Sequence, residues 1–147
     1  MKKLSLDFAR DYKPELIKQA IEASKNFYAP YSKYQVGAAL LTVGGEIFSS
    51  CNVEVCSYGL TDCAESSLIS KAVSEGMVKK YGRKFIKAVA IVTKNGGMSC
   101  GRCRQRIAEH CDDCEIISGN LKGKILKITS LKKMLPEAFT PTSLGIE

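Results

Sequence analysis

Gln35-Val-Gly-Ala-Ala-Leu-Leu-Thr-Val43, then Gly44-Gly45, then Glu46-Ile-Phe-Ser-Ser-Cys-Asn-Val53 is the stretch that decides the fold. The first run is apolar with few polar breaks, as a buried strand requires. Two consecutive glycines supply the positive φ angles of a tight hairpin turn. The second run returns as a strand with Ile47 and Phe48 toward the core. A β-hairpin therefore sits near the chain's start, and the remaining elements are read against it.

Upstream, Lys13 to Tyr28 reads as an amphipathic helix. Pro14 suits its first turn, and Leu16, Ile17, Ala20, Ile21, Ser24 and Phe27 recur near one face. Pro30 forces the residue before it out of the helical region and ends the helix. Downstream, Thr61 or Asp62 is positioned to cap a helix whose buried stripe is Leu68, Ile69, Ala72 and Val73, with Gly76 at its end. Ile86 to Thr93 reads as a buried strand rich in β-branched residues. Cys100 to His110 reads as a second cysteine-led helix. Two short strands, Glu115 to Ser118 and Lys124 to Thr129, precede a last short helix from Ser130 to Leu135. Helices alternating with strands and one hairpin make an α/β sandwich on a mixed sheet. At 147 residues, with no repeat or linker, the chain reads as a single domain over 1–147.

Composition narrows the function classes. No apolar run approaches the ~20 residues of a membrane span, and no apolar segment follows the basic Met1-Lys2-Lys3, so a cytoplasmic, non-membrane protein is expected. The formal net charge is +7. Its lysine clusters, over 79–87 and 122–133, read as solvated faces. They lack the aromatic interleaving that stacks bases, so nucleic acid is not the expected partner. Seven cysteines cannot all pair within one chain, and in a reducing compartment they point to metal or buried thiols.

Three of these cysteines carry the chemistry. Cys63-Ala64-Glu65 and Cys100-Gly101-Arg102-Cys103 each fall where a loop enters a helix. Free N–H groups there favour thiolates. Cys100 and Cys103, spaced i, i+3, face the same way. Zinc accepts three thiolates and keeps a fourth position for water, while a glutamate that is not a ligand moves protons. A first ligand with Glu two residues on and a downstream Cys-x-x-Cys is the described pattern of zinc deaminases. On an ideal helix Cys63 and Glu65 diverge, so their joint use needs irregular geometry at the helix start. The alternatives are cysteines as small buried hydrophobes, a structural zinc on Cys100, Cys103, Cys111 and Cys114, or a redox pair at Cys100 and Cys103. His110, the single histidine, reads as a surface or capping residue.

The chain resembles the small homotetrameric cytidine deaminases. The resemblance rests on Tyr28-Ala-Pro-Tyr-Ser-Lys-Tyr-Gln-Val-Gly-Ala-Ala39, Asn52-Val-Glu54, Cys63-Ala-Glu65, Cys100-Gly-Arg-Cys-Arg-Gln105 and Leu135-Pro-Glu-Ala-Phe139, in that order along nearly the whole chain. It implies a three-layer sandwich with a five-stranded mixed sheet flanked by helices. It implies one zinc per subunit on Cys63, Cys100 and Cys103, with Glu65 as the catalytic proton carrier. The substrate would be a small pyrimidine nucleoside, cytidine or 2′-deoxycytidine, deaminated to the uridine in pyrimidine salvage. Asn52 and Glu54 would hold the ribose 3′-hydroxyl, Tyr34 would lie against the nucleoside, and the backbone of Ala64 and the Met98 carbonyl would read the base. Phe139, Cys56 and Tyr58 would reach a neighbouring subunit's site in a homotetramer. Asn52 and Glu54 also fit a plain solvated turn, and Phe139 a core position.

Several positions depart from the family pattern. Tyr34 stands where a phenylalanine is usual, and Asp62 adds a negative charge beside Cys63. Ser66 stands where an arginine usually offsets the thiolate charge, and Arg102 or Arg104 is expected to hydrogen-bond the thiolates instead. Ser99 replaces a proline, and Val55 an asparagine. These departures keep other readings open. One is a deaminase of a non-nucleoside cytosine compound such as blasticidin S, another a nucleic-acid editing deaminase, and a third a non-enzymatic zinc-stabilised module.

Overall fold

A computed structural model describes residues 2–3 and 11–146. Its centre is a mixed sheet of five strands: β2 (Val36–Thr42), β3 (Glu46–Cys51), β4 (Ile86–Thr93), β5 (Glu115–Asn120) and β6 (Ile125–Ser130). A two-residue strand, β1 (Lys2–Lys3), extends one edge, giving the order β1-β3-β2-β4-β5-β6. Only β4 and β5 run parallel; the other pairs are antiparallel.

The hairpin forms, with Leu40 opposite Phe48, but only Gly45 takes a positive φ, at 90°; Gly44 instead makes room for Tyr81, whose hydroxyl a Cβ there would meet at 1.8 Å. Its strands are central, so β2 is buried at nearly every position instead of alternating. This is how strands covered on both faces read.

Helix α1 (Lys13–Ser24) covers one face. It buries Leu16, Ile17 and Ala20 against Ala39, Leu41, Ala88, Ala90 and Ile117. The helix ends four residues earlier than its periodicity suggests. Gly37 sets how closely it lies: a Cβ there would stand 2.0 Å from the Ala20 carbonyl oxygen, a distance no side chain tolerates.

Helices α2 (Ala64–Ser74), α3 (Met77–Tyr81) and α4 (Gly101–Glu109) cover the opposite face. There Leu68, Ile69, Phe85, Ile91, Ile107 and Ile116 form the larger core. The sequence reading lacks α3. It starts directly after Gly76, which turns the chain at φ 87°. The short α5 (Leu131–Met134) follows β6. The three layers anticipated from the motifs are thus present. Among the described residues no helix is long and apolar enough to cross a membrane.

Candidate active site

The two cysteine motifs meet through helix starts. Cys63 is the N-cap of α2, with extended backbone at φ −65°, ψ 153°. Cys100 occupies the same place on α4 at φ −71°, ψ 167°. The expected caps Thr61 and Asp62 instead lie ahead of the helix, where Asp62 pairs with Val53 in an isolated bridge. Because Cys63 is outside the helical spiral, its side chain and that of Glu65 are freed from the divergence an ideal helix imposes.

The sulfurs of Cys63, Cys100 and Cys103 all lie within 4.8 Å of one another, with Cys63 and Cys100 at 4.0 Å. A tetrahedral zinc with sulfur bonds of about 2.3 Å separates its ligand sulfurs by roughly 3.8 Å. The donor set therefore fits zinc in both chemistry and spacing. Cys111 and Cys114 lie past the other end of α4 and share no site with this triad, so a four-cysteine structural zinc is not formed. Within the triad a hydrogen bond from Cys103 draws the Cys63 thiol down to about 6, with Cys100 and Arg102 adding. The same bond, with burial, pushes Cys103 up.

Glu65 is 4 % exposed. Burial raises its carboxyl above the ordinary value, and the Cys63 sulfur adds to this. A buried carboxyl that is not itself a ligand, beside the sulfur triad, is placed to take a proton and return it.

A cavity of about 420 Å³ opens above the triad. Its walls include Tyr34, Asn52, Glu54, Cys63, Glu65 and Cys100. Ala64 and Met98 also face it. A larger cavity, of about 700 Å³, lies beside the C-terminal segment and away from the triad.

Asn52 and Glu54 are more than turn residues. The Asn52 Oδ1 accepts from the Val36 N–H at 3.1 Å, and its Nδ2 donates to the Tyr34 carbonyl at 2.8 Å. Glu54 accepts from the backbone N–H groups of Tyr31 and Ser32 and from the Ser32 hydroxyl. The Tyr34 hydroxyl donates to Asn95 Oδ1 at 2.8 Å. Gly97 permits that contact, since a Cβ there would meet the hydroxyl at 2.9 Å. Ser32, Val36, Thr61, Ile91, Thr93 and Gly97 complete the wall. Sequence reasoning does not assign these six to a site, and only Ser32 and Val36 carry a signal, through the Tyr28–Ala39 block.

Cys56, Tyr58 and Phe139 do not line this cavity. They are exposed, Tyr58 at 73 % and Phe139 at 60 %. Neither arginine donates a hydrogen bond to a sulfur, but the Arg102 charge acts on the triad, helping to lower the Cys63 thiol. Arg102 donates to the Thr61 carbonyl at 3.1 Å and pairs with Asp62 at 3.5 Å. Arg104 donates to the carbonyls of Ser99 and Met134. A neutral hydroxyl adjoins the triad: Ser66 Oγ lies 3.9 Å from Cys103 Sγ. His110 caps α4, with Nδ1 3.2 Å from the Arg83 carbonyl and its ring on Phe85.

Three thiols at two helix starts, beside a buried carboxyl and beneath an open cavity, form a site fitted to one zinc ion with a proton carrier next to it. Comparison with known proteins gives the rest. Residues 11–118 match the cytidine and deoxycytidylate deaminase zinc-binding region. A cytidine deaminase of Halalkalibacterium halodurans is 47% identical over 133 residues, 88% of this chain and 96% of that one. A blasticidin-S deaminase of Bacillus cereus is 30% identical, over 86% of this chain and 91% of that one. The crystal structure of cytidine deaminase from Burkholderia pseudomallei superposes with a TM-score of 0.77 at 39% identity, over 85% of this chain and 97% of that one. The chain belongs to the zinc-binding cytidine deaminase family of hydrolases.

Proposed function

We propose that the chain hydrolyses cytidine and 2′-deoxycytidine to uridine and 2′-deoxyuridine, releasing ammonia, as a step of pyrimidine salvage. The observation that carries this reading is the buried Glu65 carboxyl on the wall of the same cavity as Asn52 and Glu54. One end of the cavity thus offers proton transfer and the other offers groups for a sugar hydroxyl.

Cys63, Cys100 and Cys103 would hold one zinc, which when bound supplies Lewis acidity toward water. Glu65 takes one proton from the attacking water and delivers it to N3 of the pyrimidine as the water oxygen bonds to C4. It then takes the second proton from the new C4 hydroxyl and passes it to the amine as the C4–N4 bond breaks, so the product gains a carbonyl and nitrogen leaves as ammonia. Asn52 has one N–H beyond those its loop uses, and Glu54 has acceptor capacity left. Both are available to the 3′-hydroxyl, a contact indifferent to the 2′ position. Tyr34, fixed by Asn95, forms the wall against the nucleoside. The Ala64 backbone and the Met98 carbonyl face the base.

The whole chain would act as one domain, since a single sheet collects strands from 2 to 130. A homotetramer with shared sites is supported by the exposure of Tyr58 and Phe139, large apolar residues outside their own cavity. Seven free thiols suit a reducing, cytoplasmic setting.

The test is loss of cytidine absorbance with zinc-loaded protein, beside Glu65→Gln. Turnover by the parent and none by the variant is expected. Turnover of blasticidin S in place of both nucleosides would overturn the substrate assignment.

A further inference from the structure

We propose that Cys111 and Cys114 form a second reactive site, a dithiol that closes to a disulfide by exchange with a low-molecular-weight disulfide. The sequence Cys111-Asp112-Asp113-Cys114 joins the end of α4 to the start of β5. The deamination reaction uses neither thiol, and neither belongs to the metal triad.

Both cysteines are packed in the larger core cluster, and what sets them apart is the closeness of their sulfur atoms. Here the sulfurs share a hydrogen bond at 2.8 Å. That separation already aligns the two atoms a disulfide must join, and a two-residue spacer is the arrangement of dithiol oxidoreductase sites. The surroundings distinguish the partners. Cys111 borders the cavity of about 700 Å³, beside Lys84, Leu131 and Lys132. Cys114 does not border it, although the two residues are alike in burial, at 4 % and 3 % exposure. Lys84 Nζ donates to the carbonyls of Ala108 and Cys111, each at 3.2 Å, and pairs with Asp112 at 3.5 Å, so its cation is fixed at this corner and partly offset there. The hydrogen bond to Cys114 lowers the Cys111 thiol below its ordinary value, with Lys84 adding to this. The same bond, with burial, raises Cys114. Cys111 is therefore the attacking sulfur, reached through the cavity, and Cys114 the resolving one.

The exchange balances. The Cys111 thiolate attacks one sulfur of the small disulfide, whose S–S bond breaks. The leaving thiolate takes up the proton that Cys111 released. Cys114 then loses its proton and attacks the Cys111 sulfur, expelling the second small thiol. Two electrons pass from the protein to the small disulfide, and two small thiols result. The product would pin the last turn of α4 to β5, while the opposite end of the same helix carries Cys100 and Cys103.

Oxidised glutathione is the probe. Zinc-loaded protein is equilibrated with it, quenched in acid, unfolded, alkylated and digested with trypsin. Cleavage after Arg106 and Lys122 yields one peptide whose only cysteines are Cys111 and Cys114. The expected result is loss of both alkylation sites on that peptide, a mass lower by two hydrogens, and full recovery of both sites with dithiothreitol. In Cys114→Ser, a glutathionyl adduct on Cys111 accumulates. Undiminished double alkylation of the parent peptide, or no adduct on the variant, overturns the proposal.

Discussion

The Ser66 hydroxyl reaches across from α2 to within 3.9 Å of the Cys103 sulfur on α4, and both residues are fully buried. Three thiolates exceed the charge of one zinc ion by one unit. A buried hydroxyl is a weaker offset than a cation, but it leaves no additional charge to be desolvated.

Ser66→Ala is expected to weaken zinc binding about tenfold, the lower end of what loss of a partner to a metal ligand costs. Competition against a chromogenic chelator measures it directly, independent of turnover. Unchanged affinity would show that the hydroxyl does not act on the triad.

Glu65→Gln is expected to lower kcat by about a hundredfold or more, the scale of a lost general acid–base group. Zinc content, read by metal analysis, should stay at the parent level because Glu65 is not a ligand. Loss of metal with the variant would assign Glu65 to the triad instead.

Gly97→Ala is expected to raise KM for cytidine by about tenfold, by driving the Tyr34 hydroxyl off Asn95. Adding Tyr34→Phe removes the atom that clashes, so the double variant should bind better than Gly97→Ala alone. Additive losses in the two variants would place the strain elsewhere.

Acid stability should depend on Glu46, which is buried at 1 % exposure. Burial alone raises its carboxyl, but hydrogen bonds from Lys80, Thr42 and Tyr81 outweigh this and take it down to about 2 from an ordinary 4.5. A carboxyl depressed in the folded state stabilises fully above pH 4.5, and that stability fades as pH falls toward 2. Glu46→Gln should cost about 2 kcal/mol at pH 7, allowing for screening at half-exposed Lys80. The gap to the parent should narrow steadily below pH 4.5. Urea unfolding of both proteins at pH 7 and pH 3 checks it.

Stripping the metal is expected to abolish turnover while leaving the far-ultraviolet circular dichroism intact. The two core clusters on either sheet face hold the fold without it. Unfolding on chelation would mark the metal as structural.

How much of this was legible in the sequence varied with range. The hairpin, β4 and the two cysteine-led helices were readable because periodicity and glycine placement are local properties. Five residues between Gly76 and Gly82 are too few to show a period, so α3 was not readable. The convergence of Cys63 and Glu65 was invisible because it depends on Cys63 standing one residue outside its helix. Nearness in sequence points Arg102 and Arg104 at the thiolates. In the fold their guanidinium groups hydrogen-bond the carbonyls of Thr61, Ser99 and Met134, and Arg102 reaches the triad through its charge alone. Asn52 and Glu54 were readable as a pair by two-residue spacing, but their partners at 31–36 come from a distant loop that no spacing encodes.

The Asn52 amide carries one last consequence. Its two ends are already told apart, the oxygen by the Val36 N–H and the nitrogen by the Tyr34 carbonyl. A ligand arriving in the cavity meets a group whose orientation was decided during folding. It therefore has no side-chain rotation to freeze there, and that share of the entropic cost of recognition has already been met when the chain collapses.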